Sequence, residues 1–188
     1  DPTNLYGVTK RLAEAIYTSY PIGACLRYGN VMDSNGSVWW AWLDALQHGR
    51  PLNLRMPNPT RFFLLRIHAV KLVQDALDHM HGGEVFVPRD LASVSLESIA
   101  RVLDPEARWL TSPLLPGEKQ HEVLIGASEY YKESIGDLLV SVGSGVGQRN
   151  GKEVSYCSKN ARRISGVDAV ALLLDATQTT LPSNIYRG

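Results

Sequence analysis

The feature that most constrains this chain is an alternation of short apolar runs with longer stretches of helical period. Gly23-Ala24-Cys25-Leu26-Arg27-Tyr28 and Glu84-Val85-Phe86-Val87-Pro88 read as strands, each bounded by turn residues. Around them, apolar residues recur every three or four positions, as on a helix that buries one face. One such segment runs from Asn4 to about Tyr17, with Thr3 or Asn4 as N-cap and Leu5, Leu12, Ala13, Ile16 and Tyr17 as its apolar positions. Ser37 caps a second, which carries Val38, Trp39, Trp42, Leu43 and Leu46 toward Gly49. A third spans about His68 to Met80 and stops at Gly82-Gly83; a fourth covers Ser95 to Leu103; a last runs from Val167 to Leu174. Trp109-Leu110-Thr111 is a weaker strand, the signals fade beyond Gly126, and residues 141–152 form a Gly/Ser-rich loop. Strands alternating with helices predict an α/β architecture in one dominant unit.

With 188 residues and 44% hydrophobic content, the chain is long enough to bury a real core. Nineteen basic residues balance nineteen acidic ones, so no net field draws it to nucleic acid or anionic lipid. Two cysteines, Cys25 and Cys157, are too few for a disulfide framework and read as reduced thiols. No apolar run reaches the roughly 20 residues that cross a bilayer. A cytoplasmic protein without a membrane partner is the expectation. Trp39, Trp40 and Trp42 crowd one short helix; core packing is their first reading and a subunit contact the second.

Tyr6-Gly7-Val8-Thr9-Lys10 carries the sharpest chemistry. Residues four apart share a helix face, so a phenol and an ammonium project together. A free tyrosine ionises only near pH 10, and a neighbouring cation favours the phenolate, which makes a proton shuttle. The pair alone is common on ordinary helices, and its neighbours add to it. Arg27-Tyr28-Gly29-Asn30-Val31 lies where a strand ends, the place open α/β sheets use for ligands. Thr60-Arg61-Phe62 sets a forked cation beside a hydroxyl, a pairing suited to phosphate. Pro116-Gly117-Glu118-Lys119-Gln120-His121-Glu122 gathers charge around a turn. Gly143-Ser144-Gly145-Val146-Gly147 opens no helix and reads as a connection, not a phosphate loop.

Taken in order, these segments, with Asn35-Gly36-Ser37-Val38, resemble the inverting UDP-N-acetylglucosamine 4,6-dehydratases and related polysaccharide-biosynthesis dehydratases. The resemblance runs to about Ile125, and Tyr156-Cys157-Ser158-Lys159-Asn160 resembles the family's C-terminus more loosely. It implies the C-terminal part of a Rossmann-like extended short-chain dehydrogenase/reductase with a small substrate-binding α/β subdomain. Residues 1–140 would hold the interleaved Rossmann-like part and subdomain, and 141–188 a loop and C-terminal segment of the same unit. The implied reaction is NAD(P)-dependent dehydration of a UDP-sugar with inversion at C5. Tyr6 would be the proton shuttle, and Lys10 would hold the ribose of NADP or NAD. Val31 would lie against that cofactor, while Asn30, Ser37, Thr60, Arg61, Glu118 and Lys119 would meet the UDP-sugar.

Two departures from the family pattern bear on nucleotide handling: Leu115 stands where the family has arginine, and Asp33 where it has glycine. The Gly-rich dinucleotide fingerprint and the family's Thr-Asp-Lys segment would fall ahead of Tyr6, and the chain opens on Asp1. The expectation is therefore the C-terminal half of a longer enzyme, inactive by itself and a homo-oligomer when complete. A 4-epimerase or reductase of the same superfamily is the nearest enzymatic alternative. A truncated fragment that only binds nucleotide sugar is the non-catalytic one.

Overall fold

The computed structural model describes residues 2, 4–107, 117–126, 129–142 and 156–181. The strand expected at Trp109-Leu110-Thr111, the Leu115 position and the Gly143–Gly147 connection lie outside the described residues.

Asn4 starts α1 (Leu5–Thr18) by accepting the Gly7 N–H at 2.7 Å, a cap worth about 1 kcal/mol. The chain then turns into β1 (Cys25–Leu26) and steps to β2 (Asn30–Val31). Helix α2 (Val38–Gln47) leads to β3 (Thr60–Leu64) and α3 (Arg66–His79). Next come β4 (Val85–Pro88), β5 (Ser93–Ser95) and α4 (Leu96–Leu103). Strands β6 (Val123–Ile125), β7 (Tyr130–Ile135), β8 (Leu138–Val142) and β9 (Tyr156–Cys157) precede α5 (Gly166–Thr177). The expected helices are all found, with ends moved by at most three residues.

The strands form two principal sheets. The first has the order β1-β4-β8-β7, with β1 and β4 parallel and β8 antiparallel to both neighbours. The second has the order β2-β3-β5, with β2 and β3 parallel in the register Asn30 to Phe63. The chain leaves one sheet for the other across Arg27-Tyr28-Gly29. Gly29 is needed there because a Cβ on it would meet the Phe62 Cβ at 2.2 Å.

Side-chain alternation along β4 shows how the first sheet is filled. Phe86 points to one face with Leu138, Val140 and Ala76 of α3; Val87 points to the other with Phe62, Leu64, Ile125 and Leu139. That second group welds the two sheets together. A larger core lies between α2, α4 and α5, where Trp39 and Ile99 are fully buried and Trp42 nearly so. Trp40 packs at its edge and donates to the Asp33 carbonyl at 3.4 Å. All three indoles thus serve the chain's own packing, the first of the two readings.

The β7–β8 hairpin was not expected from the sequence. Its turn is Gly136-Asp137, with Gly136 at φ +55°, and β8 adds directly to β4. The sequence from 130 to 135 mixes charged and apolar residues, so only the pairing reveals it.

Helix α1 buries none of its residues; Leu5 and Leu12 are more than half exposed. It is held through Glu14. Arg27 at the end of β1 donates Nε and Nη2 to Glu14 at 2.6 and 2.7 Å. The same guanidinium donates Nη1 and Nη2 to Glu129 at 2.9 and 2.7 Å, and Nη1 to the Leu124 carbonyl. Burial opposes ionisation of both carboxyls, and the Arg27 hydrogen bonds and charge outweigh it, holding them below the usual carboxylate range. Their contribution is therefore complete above a pH of about 4.3 and is lost as pH falls through the lower folded values.

Arg27→Met should leave the largely buried Glu14 and Glu129 with Arg11 as their remaining cation among the described residues, with a loss of up to about 3–5 kcal/mol in urea unfolding. A loss under about 1 kcal/mol would mean that α1 is held by something else.

Candidate functional site

The site is built where three things meet: the start of α1, the exit of β1 into β2, and the turn at residues 117–122. Helix α1 and strand β1 run in opposite directions, so the N-terminus of α1 lies at the carboxyl end of β1. Asn4 Nδ2 then reaches the Gly117 carbonyl at 2.6 Å, which ties α1 to the turn. From the turn, the Gln120 carbonyl accepts the Thr60 N–H at 2.8 Å, which ties it to β3. These contacts tie the start of α1 and β3 to the 117–122 turn, with Arg61 beside it.

On α1, Tyr6 and Lys10 share a face as the spacing requires. Lys10 Nζ stands 5.3 Å from the centroid of the Tyr6 ring, and both side chains face outward. Asn30 is exposed. Val31 lines a cleft of about 660 Å³ with Tyr28, Ser34, Arg66, Val70 and Val73. The described residues do not bring Tyr6 or Lys10 into the lining of that cleft. They include no strand–Gly-rich turn–helix that would take the pyrophosphate of a dinucleotide.

Several expected site residues are turned inward. Thr60 is fully buried, with Oγ1 2.7 Å from His121 Nδ1 and 2.8 Å from Ser158 Oγ. Ser158 also donates to the Thr60 carbonyl and accepts the Glu122 N–H at 2.9 Å. The hydroxyl beside Arg61 thus locks the turn to β3. Ser37 donates its hydroxyl to the Met32 carbonyl at 2.6 Å and makes no side-chain cap bond to α2. Asp33 is buried and accepts the Arg66 N–H at 2.8 Å, so its charge sits at the N-terminus of α3.

Arg61 is the contrasting case. Its side chain is only 15% exposed. Nη1 donates to the Thr60 and Gln120 carbonyls at 2.9 and 3.2 Å, and Nε lies 3.5 Å from Glu122. Burial lowers the pKa of this guanidinium, and the nearby Glu122 and Glu118 charges do not restore it. Glu118 itself is 3.7 Å from Arg55, and Lys119 is half-buried on the same turn.

Sequence reasoning missed Glu14 and Glu129 as partners of Arg27. It also missed Tyr156, whose hydroxyl accepts the Leu91 N–H at 2.6 Å while its ring packs 5.0 Å from Phe62. Burial pushes the Tyr156 phenol upward in pKa. No local pattern marks such residues; they are defined by partners tens of residues away.

An α/β arrangement with a parallel β1–β4 pair and a second small sheet at the carboxyl end defines a Rossmann-like fold of the extended short-chain dehydrogenase/reductase kind. The X-ray structure of Pen from Bacillus thuringiensis matches it with a TM-score of 0.80 at 25% identity, over 96% of this chain and 60% of that one. The polysaccharide biosynthesis protein family matches residues 1–141, and the chain belongs to that family. It is 30% identical to an inverting UDP-N-acetylglucosamine 4,6-dehydratase of Campylobacter jejuni, over 69% of this chain and 41% of that protein. It is 31% identical to a UDP-glucose 4-epimerase of Rickettsia massiliae, over 70% of this chain and 42% of the epimerase. A protein of Methanocaldococcus jannaschii named as an uncharacterized membrane protein is 31% identical over 86% of this chain and 54% of its own length. The chain thus spans about half the length of the curated relatives it matches. Among the described residues, no helix is long and apolar enough to cross a membrane.

His121 offers a check on the turn. Burial, then the charges of Lys159, Arg163 and Arg61, hold its pKa below the ordinary value. Protonating it therefore costs folding energy, and stability rises with pH from the lowered folded value up to the unfolded value of about 6.5. The ring should titrate below about pH 6.5 by NMR, and Lys159→Ala should move that midpoint upward. A midpoint unmoved by the substitution would mean that the lysine does not face the imidazole.

Proposed function

We propose that this chain is the substrate-side half of a nucleotide-sugar enzyme that dehydrates a UDP-hexose, UDP-N-acetylglucosamine or a close relative, in making surface polysaccharide or glycan precursors. The observation that carries the reading is the joining of the Tyr6/Lys10 face of α1 to the Glu118–Lys119 turn through Asn4 and Gly117. It sets the start of the helix that carries Tyr6 and Lys10 against a charged turn. Family membership and the dehydratase relative support the same reading.

In this account NADP or NAD, when bound by the longer protein, supplies the hydride acceptor for C4 of the hexose. Tyr6 takes the proton from the C4 hydroxyl, and Lys10 beside it holds the ribose. Oxidation at C4 would acidify the C5 proton, so that water leaves across C5 and C6, the hydride taken from C4 returns to C6, and protonation from the opposite face inverts C5. Asn30, Arg61, Glu118 and Lys119 bind and orient the UDP-sugar, and Val31 walls the cofactor end. Ser37, Thr60 and Asp33 serve by holding the backbone around them. Residues 1–140 would comprise the interleaved Rossmann-like part and subdomain, with 141–188 completing the same unit.

The epimerase relative favours one rival, inversion at C4. Product analysis separates the two. A longer protein containing this segment should convert UDP-N-acetylglucosamine to a 4-keto-6-deoxy sugar, and the 188 residues alone should give no turnover with NADP. Sugar returned inverted at C4 without a 4-keto product would establish the epimerase instead. Turnover by the 188-residue chain would refute the half-enzyme reading.

A further inference from the structure

The Asn4 side chain is engaged at both ends. Oδ1 accepts the Gly7 N–H at 2.7 Å and so starts α1, while Nδ2 donates to the distant Gly117 carbonyl at 2.6 Å. A glycine stands on each side of it. A Cβ on Gly117 would meet the Asn4 Cβ at 2.7 Å and Nδ2 at 2.8 Å. A Cβ on Gly7 would come within 3.1 Å of Oδ1. Gly117 also has φ +92°, which glycine adopts without strain. The amide thus sits in a slot between two backbones that approach this closely because neither carries a side chain there.

The place of this slot along the chain matters for Tyr6. Helix α1 buries none of its residues, so polar ties set its position. Among the described residues, side-chain ties to distant parts of the chain fall at Asn4 and, further along, at Arg11 and Glu14. Glu14 follows Tyr6 by eight residues, about 12 Å along the helix axis. A tie that far along fixes the axis and leaves the first turn able to swing. Asn4, two residues before Tyr6, fixes where the first turn stands. Its partner is itself anchored, since the Gln120 carbonyl accepts the Thr60 N–H at 2.8 Å and Ser158 accepts the Glu122 N–H at 2.9 Å.

We propose that Asn4 is a positioning residue, setting the spacing between the Tyr6 phenol and a sugar held by the 117–122 turn. The inference rests on the nucleotide-sugar reading and adds to it the element that aligns proton shuttle with substrate. Proton transfer needs the two heavy atoms about 2.6–3.2 Å apart, and a displacement of about 1 Å costs on the order of 100-fold in rate. Asparagine suits both ends. An aspartate caps a helix equally well but, ionised, has no proton for the Gly117 carbonyl; a serine caps as well but has no second arm to reach it.

Asn4→Asp and Asn4→Ser therefore keep the cap and remove the link, the first adding a charge and the second none. Steady-state kinetics of a longer protein containing this segment, with UDP-N-acetylglucosamine and NADP, reads the effect. In both variants kcat should fall roughly 10- to 100-fold, with KM within about threefold because the turn stays fastened to β3. Thermal unfolding should stay near that of the parent. In the 188-residue chain, the Gly7 amide should remain protected from exchange in both variants. The Glu118 amide, in the same peptide unit as the Gly117 carbonyl, should shift. Parent-like kcat in either variant, a raised KM with kcat unchanged, a loss of kcat that only tracks lowered stability, or an unmoved Glu118 amide would each overturn the proposal. The two readings fail separately. A parent protein that forms the 4-keto-6-deoxy sugar and is indifferent to both substitutions sinks the positioning role and leaves the enzyme reading standing. A parent protein that turns over no UDP-hexose sinks the enzyme reading, and this role falls with it.

Discussion

The guanidinium of Arg27 is the constraint on which the arrangement of this chain depends. Helix α1 contributes no buried residue, so apolar packing within the chain does not hold it against the sheet. Arg27 does so from the end of β1, through Glu14, while gripping Glu129 and the Leu124 carbonyl on its other edge. Three segments far apart in sequence meet at one planar group whose donors match two carboxylates. Such a cluster contributes little beyond an apolar replacement of the same shape, yet losing one member is expensive. It therefore specifies geometry, and the geometry it specifies is the position of α1 against the end of β1 and the segment from Leu124 to Glu129.

From that anchor the site follows in short steps. Asn4 caps α1 and also reaches Gly117, so the residue that starts the helix also aims the charged turn. Gly29 lets the chain pass over Phe62 as it changes sheets, between Tyr28 and Val31 of the cleft lining. Thr60, Ser158 and His121 then fasten the turn to β3 from beneath. Each link is a hydrogen bond or a close contact rather than an extended apolar interface.

Much of the scaffold was legible because its signals are local. The Asn4 cap, the tryptophan-bearing helix and the apolar run at Val85–Val87 obey rules of spacing within a few residues. The family resemblance likewise drew on contiguous motifs. What escaped was set by partners distant in sequence. Glu14 and Glu129 are ordinary acids until Arg27 lies between them. The β7–β8 hairpin is defined by its addition to β4 at Val85 and Ser141. Direction was equally hidden: a threonine beside an arginine suggested two groups facing a phosphate, and the Thr60 hydroxyl instead faces inward to His121 and Ser158. Residue type was readable there, while orientation was decided by a strand some hundred residues later.

The central claim, that a nucleotide sugar enters where β1, β3 and the 117–122 turn converge, is tested most directly by mapping amide shifts of the isotopically labelled chain during titration with UDP-N-acetylglucosamine. The account predicts perturbations at Asn30, Arg61 and residues 118–122, with α5 unmoved. Perturbations confined to the second cleft, the one bordered by Phe63, His68, Lys71 and Leu172, would contradict it.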